Sequence, residues 1–425
     1  GLHQKDNQRL LQSLKNSRDL GNTLIVVEHD EETIRSADYI VDIGVGAGVH
    51  GGKVVACGTV DDIIASKDSI TGKYLSGELS IPVPIARRKG NGNYLHIKNA
   101  RQNNLKNIDV DIPLGAFTCI TGVSGSGKSS LVGDTLYPAL FRRLNETGQQ
   151  PGAFRKLSGN IDRISAVEYV DQNPIGRSSR SNAVTYLKVY DDIRKLFSEQ
   201  QFARMNGFTP SFFSFNQDGG RCSECQGEGY VHIGMQFMAD VTMLCEACGG
   251  KRFKPEILEV RYKGKNIDDV LNMSVEEAMD FFSSQPEPAA RTIAAKLQPL
   301  ADVGLSYIKL GQSSSTLSGG ESQRIKLAYF LSMTDSTAKK IMFIFDEPTT
   351  GLHFHDVEKL VKAFDSLLDR GHTVVVVEHN LDVIRCADWL IELGPGAGDR
   401  GGSLVFAGTP EELARKKDTA TSAYL

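Results

Sequence analysis

The sequence predicts an α/β fold organised around a phosphate-binding loop, and three observations predict it. Short apolar runs alternate with helical spacing along much of the chain, the pattern of strands covered by helices. A complete G-x-x-x-x-G-K-S follows one apolar run and opens a helical pattern. The last part of this α/β unit also occurs twice, at a constant offset.

Length and composition set the bounds. The 425 residues allow two to four domains with sizeable cores. The net charge of −4 excludes a globally basic coat, so any DNA contact must come from a local patch. No apolar run approaches the ~18 residues a membrane span needs. Residues 1–20 are polar and charged, unlike a signal peptide. These features predict a cytoplasmic protein with no membrane partner. Seven cysteines in so long a chain do not make a disulfide scaffold; four of them form two C-x-x-C pairs, which suggests a reducing compartment and a metal.

The repeat comes first in the chain. Residues 21–62 align without gaps on 371–412, with 19 of 42 positions identical. The match reaches back to Gly1-Leu2-His3, which recurs as Gly351-Leu352-His353. The expectation is the last part of one domain (1–80), a Gly/Pro-rich basic linker (81–93), and a second domain made of 94–155 and 300–425. An insertion covers 156–299. The competing reading is a short divergent duplicate. Residues 24–27 and 374–377 read as buried strands, each followed by a helix, at 31–37 and 381–387. Residues 94–113 alternate like paired strands, 117–121 form the apolar strand before the loop, and 191–202 and 275–282 have helical spacing.

The loop is Gly122-Val123-Ser124-Gly125-Ser126-Gly127-Lys128-Ser129. Its glycines let backbone N–H groups face a phosphate chain, and the following helix, expected over 129–136, adds partial positive charge. Lys128 reaches the β- and γ-phosphates of ATP or ADP, and the Ser129 hydroxyl binds Mg²⁺. The apolar run 341–345 delivers Asp346 to the metal, and Glu347 polarises the attacking water. A strand ending in Asp-Glu is otherwise a common solvated strand end; the loop upstream gives this one its meaning.

With Leu317-Ser318-Gly319-Gly320-Glu321, the chain resembles the ABC-type ATPases. The resemblance implies that Ser318, Gly319 and Gly320 grip the γ-phosphate of a nucleotide held by an opposing domain. It makes His379 the switch histidine and Gln172 the glutamine of its loop. His29 holds the position of His379 in the first copy. Transporter-type members stack an aromatic residue on adenine; residues 99–104 contain none, which leaves base selectivity loose.

About 190 residues separate Ser129 from Leu317. Within them lie Cys222 and Cys225, then 19 residues, then Cys245 and Cys248. Four thiolates at this spacing close a tetrahedron around Zn²⁺, defining a module at 219–254; the rival is a redox dithiol pair. Cys57, Cys119 and Cys386 lie on strand or helix patterns and read as buried thiols. From 155 to 265 there are 16 Lys/Arg against 13 Asp/Glu. Arg177, Arg180, Lys251 and Arg252 suit phosphate contacts that position a protein on DNA without reading its sequence; the bland alternative is a solvated face.

The loop, signature, tandem repeat and zinc-bearing insertion together resemble the UvrA family, the damage-sensing component of the ABC excinuclease. Matching strings run from Asp171–Arg177 through Gly219–Cys222, Tyr262–Lys265 and Asp302–Gly311 to Asp346–His353. The resemblance implies the C-terminal portion of a nucleotide-excision-repair ATPase: an ABC nucleotide-binding domain with a helical, zinc-bearing insertion, preceded by the end of a first ABC domain. It implies binding of double-stranded DNA, a homodimer, and a UvrB-type repair partner held through the family's first half. ATP hydrolysis by such a portion alone is expected to be slow. Ser178-Ser179 and Asn182-Ala183 stand where the family usually has prolines, and Ala328-Tyr329-Phe330 lacks the usual nearby acid. These departures keep open a UvrA paralogue linked to drug tolerance. An ABC transporter ATPase and a non-catalytic interaction protein are the readings from other classes. The cysteine module argues against the first. Lys128, Asp346 and Glu347, all present, argue against the second.

Overall fold

The computed structural model describes residues 2–44, 46–333 and 339–425, so Gly1 of the repeat lies outside it. The chain forms two compact units: Gly1–Asp171 with Thr334–Leu425, and Gln172–Met333.

The first unit is built on a six-stranded sheet. Its order is Ser403–Gly408, Trp389–Gly394, Phe117–Gly122, Thr373–Val377, Ile341–Asp346 and Ala166–Val170. All neighbours are parallel except the antiparallel edge pair Trp389–Gly394 and Ser403–Gly408. Every residue of Phe117–Gly122 and of Thr373–Val377 is buried. Such continuous apolar runs are what a parallel sheet with both faces covered requires. A second sheet pairs Tyr94–Ala100 with Ile108–Pro113 on one side and Lys156–Gly159 on the other. Leu95, Ile97, Val110 and Ile112 face inward and join Ile120, Leu131 and Ile344 in one core.

The repeat survives as geometry. Ile40–Gly44 pairs with Lys53–Gly58 just as Trp389–Gly394 pairs with Ser403–Gly408. The register slips between Asp42 and Ile43 in one and between Glu392 and Leu393 in the other, the same place after the 350-residue offset. The copies also exchange an equivalent pair of bonds. His3 Nε2 meets Thr421 Oγ1 at 2.9 Å, and His353 Nε2 meets Thr71 Oγ1 at 2.9 Å.

The second unit is largely helical: Tyr190–Ser198, Val275–Ser283, Pro288–Asp302 and Gly319–Ser332 are its longer helices, and the hairpin Tyr230–Ile233 with Val241–Leu244 projects from the cysteine module.

Four sequence expectations change. The division expected at 155/156 and 299/300 falls at 171/172 and 333/334, and 1–80 groups with the first unit. Lys156–Gly159 and Ala166–Val170 are strands of the first unit's sheets and cannot leave it without breaking their ladders. Residues 24–27 are not a strand; Ile25 is 92% and Val27 89% exposed. Their counterparts 374–377 lie between Phe117–Gly122 and Ile341–Asp346. Cys57 is exposed on an edge strand, whereas Cys119 and Cys386 are buried. The helix expected over 191–202 is two, Tyr190–Ser198 and Gln201–Met205, broken at Glu199–Gln200.

Candidate functional site

Three neighbouring parallel strands end on the same side of the sheet, where α/β proteins bind ligands. Phe117–Gly122 runs into the glycine loop, Thr373–Val377 into Glu378-His379, and Ile341–Asp346 into Glu347.

Gly122 has φ +142°, and a Cβ there would lie 2.3 Å from the Leu393 carbonyl oxygen. Gly127 has φ +110° and begins the helix Lys128–Leu131. That helix continues as a wider turn over Val132–Leu136 and then as Tyr137–Asn145. The loop is braced from outside: Asn104 Nδ2 donates to the Gly125 and Gly398 carbonyls at 3.0 and 2.9 Å. Lys128 is buried and folds back over the loop, donating to the Gly122 and Val123 carbonyls at 2.7 and 3.0 Å. Burial draws its ammonium down to about 8, against the pull of Glu347, Asp6 and Asp346. It is therefore cationic at neutral pH. Ser129 is exposed in the first turn of the helix. The Ser126 hydroxyl is buried with no protein partner, which suits a ligand in the loop.

Asp346 accepts from the Tyr169 hydroxyl at 3.2 Å. Burial, then the neighbouring Glu347, pushes its carboxyl above the usual range. With the Ser129 hydroxyl it offers the all-oxygen donor set that Mg²⁺ prefers. Glu347 adopts a left-handed conformation, φ +46°, uncommon for a non-glycine residue and frequent at functional sites. Its Oε1 lies 3.1 Å from His379 Nε2, and that hydrogen bond is the first cause holding its carboxyl below the usual range. His379 is buried and seated by Glu378, whose Oε1 accepts from the His379 N–H at 3.0 Å and whose Oε2 accepts from Thr349 N–H at 3.3 Å. The first-copy His29 is exposed, its backbone N–H bonded to Glu28.

Gln172 and the signature are neighbours within the second unit. Ser318 caps the helix Gly319–Ser332 in a reciprocal box with Glu321. A Cβ on Gly319 would lie 2.9 Å from Gln172 Oε1, so glycine is what lets the two approach. Gly320 is buried in the same first turn.

The four thiols of Cys222, Cys225, Cys245 and Cys248 lie within 4.8 Å of one another. The sulfurs of Cys222 and Cys245 are 3.9 Å apart, and those of Cys225 and Cys248 are 3.7 Å apart. A tetrahedron with Zn–S bonds of ~2.3 Å has edges of ~3.8 Å, so the donor set fits zinc. Gly229 N–H supports the Cys225 sulfur at 3.2 Å.

The four basic residues separate into two kinds. Arg177 and Lys251 are exposed. Arg180 donates to the Gln226 carbonyl at 3.3 Å, and Arg252 to that of Gly311 at 2.8 Å, so both brace backbone. Sequence reasoning missed Asp6, His3 and Gln4, which touch the loop and His379. The signal was present in the repeat, since His3 aligns with His353 and each caps its own helix.

The loop, the Asp346-Glu347 strand end, His379 and the Ser318-Gly319-Gly320 helix start define a nucleotide-binding domain of the ABC ATPase class. No protein-family model matches the chain. It is 56% identical over 427 residues to UvrABC system protein A of Clostridium perfringens and 57% identical over 425 residues to that of Thermus thermophilus. Each alignment covers all of this chain and 44% of the relative. The crystal structure of UvrA2 from Deinococcus radiodurans superposes with a TM-score of 0.91 at 43% identity, over all of this chain and 50% of that one. Over its whole length the chain is similar to UvrA proteins, and it spans about half the length of the relatives it matches.

Proposed function

We propose that the chain is the ATP-hydrolysing portion of a DNA-damage-recognition protein of nucleotide excision repair, binding double-stranded DNA under nucleotide control. The observation that carries the reading is the Glu347–His379 pair beside the Lys128 loop, on a sequence more than half identical to named UvrABC system proteins. The loop N–H groups and Lys128 hold the phosphate chain. Ser129 and Asp346 would hold Mg²⁺, which when bound would neutralise charge on the terminal phosphates. Glu347, held by His379, orients the attacking water in line with the γ-phosphate. His379 fixes the Glu347 carboxylate. Signature residues Ser318–Gly320 complete the γ-phosphate site of a facing ABC domain, which favours a head-to-tail homodimer. The relatives' name places them in a multi-part system, and a UvrB-type protein is the partner we infer.

The test is ATP binding and hydrolysis against protein concentration. Lys128→Ala should lose nucleotide affinity, and Glu347→Gln should bind ATP but lose hydrolysis by on the order of a hundredfold. Specific activity should rise with protein concentration as copies pair. Fast hydrolysis independent of concentration would remove the paired-site reading, and hydrolysis surviving Glu347→Gln would remove the assigned role of Glu347. Damaged against intact duplex then separates a repair function from a transport one.

A further inference from the structure

Ala166–Val170 is an edge strand of the six-stranded sheet and pairs in parallel with Ile341–Asp346, so that Tyr169 stands beside Ile344. From there the Tyr169 hydroxyl reaches the end of the neighbouring strand and donates to Asp346 Oδ2 at 3.2 Å. Its ring packs on that of Tyr137, with centroids 5.1 Å apart, and Tyr137 packs in turn on Phe141 at 5.8 Å. Tyr137 opens the helix Tyr137–Asn145, which follows the phosphate loop through Lys128–Leu131 and the wider turn Val132–Leu136. That turn passes close to the hydroxyl: a Cβ on Gly133 would lie 3.5 Å from Tyr169 Oη. Wider turns of this kind are rare and cluster at functional sites. Tyr169 thus joins the strand that carries Asp346 to the helical run that begins with Ser129 in its first turn, the two metal donors assigned above.

We propose that Tyr169 is a positioning residue for the nucleotide-bound Mg²⁺: its hydroxyl holds the Asp346 carboxylate in the orientation that receives the metal, without itself meeting metal or nucleotide. This rests on the ATP-site reading above. The last torsion of an aspartate is soft, so an unsupported carboxylate turns freely about its Cβ–Cγ bond. A hydrogen bond to one of its oxygens in a half-buried site narrows that rotation and leaves the other oxygen's lone pairs to a cation. The packing of Tyr169 on Tyr137 keeps the donor itself from swinging away, so the orientation is set before the metal arrives. Partners of this kind, bonded to a metal-ligating carboxylate, commonly contribute ten- to a hundredfold to metal affinity. A phenylalanine at 169 would keep the aromatic packing and lose only the donor.

The experiment measures equilibrium binding of a β,γ-imido ATP analogue to the parent chain and to Tyr169→Phe, once in EDTA and once across a Mg²⁺ titration. Tyr169→Phe should raise the Mg²⁺ concentration for half-maximal enhancement of binding by about tenfold, and change affinity in EDTA by less than about twofold. On an Asp346→Ala background the same replacement should add nothing to the Mg²⁺ dependence, because the carboxylate it orients is gone. The unfolding temperature without nucleotide should match the parent's, while the extra stabilisation by Mg²⁺ with the analogue should shrink. A purely structural role would weaken binding equally in EDTA and in Mg²⁺, and that result overturns the proposal. An unchanged Mg²⁺ dependence overturns it too, as does an effect that persists without Asp346. If Tyr169→Phe does not fold, the hydroxyl holds the sheet rather than the metal ligand, and the proposal falls. Failure of the parent to bind the analogue under either condition overturns the ATP-site reading instead.

Discussion

His3 is fully buried, bonded to Thr421 and edge-on to His379. Burial first, then the nearby His379, draws its imidazole down to about 4 from an ordinary 6.5. Asp6 opposes this shift, while Lys128 and Lys5 add to it. The folded chain thus holds His3 neutral where the unfolded chain would protonate it. The stability it contributes is complete above about pH 6.5 and is lost as pH falls towards about 4. Between pH 7 and pH 5 the loss is about 2 kcal/mol. Hydrogen exchange of Gln4–Asp19 should accelerate over that interval in the parent and less in His3→Gln, which can still bond Thr421 but does not titrate. Equal acceleration in both would mean that His3 does not anchor the helix.

The hairpin Tyr230–Ile233/Val241–Leu244 is an element that cannot hold itself. Each strand has four residues, most of them exposed, and a two-stranded hairpin is marginal in water. Its ends are fixed where Cys245 N–H donates to the Gly229 carbonyl and Cys222 N–H to that of Arg252, next to the sulfurs. Structural zinc supplies folding free energy of this local kind. Purified protein should carry about one zinc per chain. Chelation or Cys225→Ser should release it and abolish exchange protection in 230–244, while helix Pro288–Asp302, buried through Ile293, Leu297 and Leu300, keeps its own. Unchanged protection after metal removal would show that the four sulfurs need no ion.

For the whole molecule, the net charge of −4 means that any contact with duplex DNA must come from a local cationic surface. No helix among the described residues is long and apolar enough to cross a membrane. The structure divides the four candidate arginines and lysines by what they already do. Arg177 and Lys251, exposed, should each remove about one unit from the log–log salt slope of DNA binding when replaced by alanine. Arg180 and Arg252 brace the Gln226 and Gly311 carbonyls, so their loss should lower the unfolding temperature with less effect on the slope. Slopes unchanged by Arg177→Ala and Lys251→Ala would place the DNA surface elsewhere.

Local chemistry was legible in the sequence because it is written in contiguous residues. Gly122–Ser129 needs only a strand before it and a helix after it, and both are apolar-pattern signals. The two C-x-x-C pairs carry their own geometry, and the 350-residue offset returns in the structure, where the two hairpins slip register at the same step. What depends on a partner strand or on distant residues was decided only in three dimensions. Residues 24–27 and 374–377 are similar apolar runs, yet among the described residues only the second is paired on both sides inside a sheet, and the first is exposed. Asp6 on Ser124 and Gln4 on the His379 carbonyl join positions more than a hundred residues apart, and no periodicity records such a contact. The sequence by itself determined the kind of chemistry each segment can do. The tertiary structure decided which segments meet, because pairing strands and burying a charge are properties of neighbours rather than of residues.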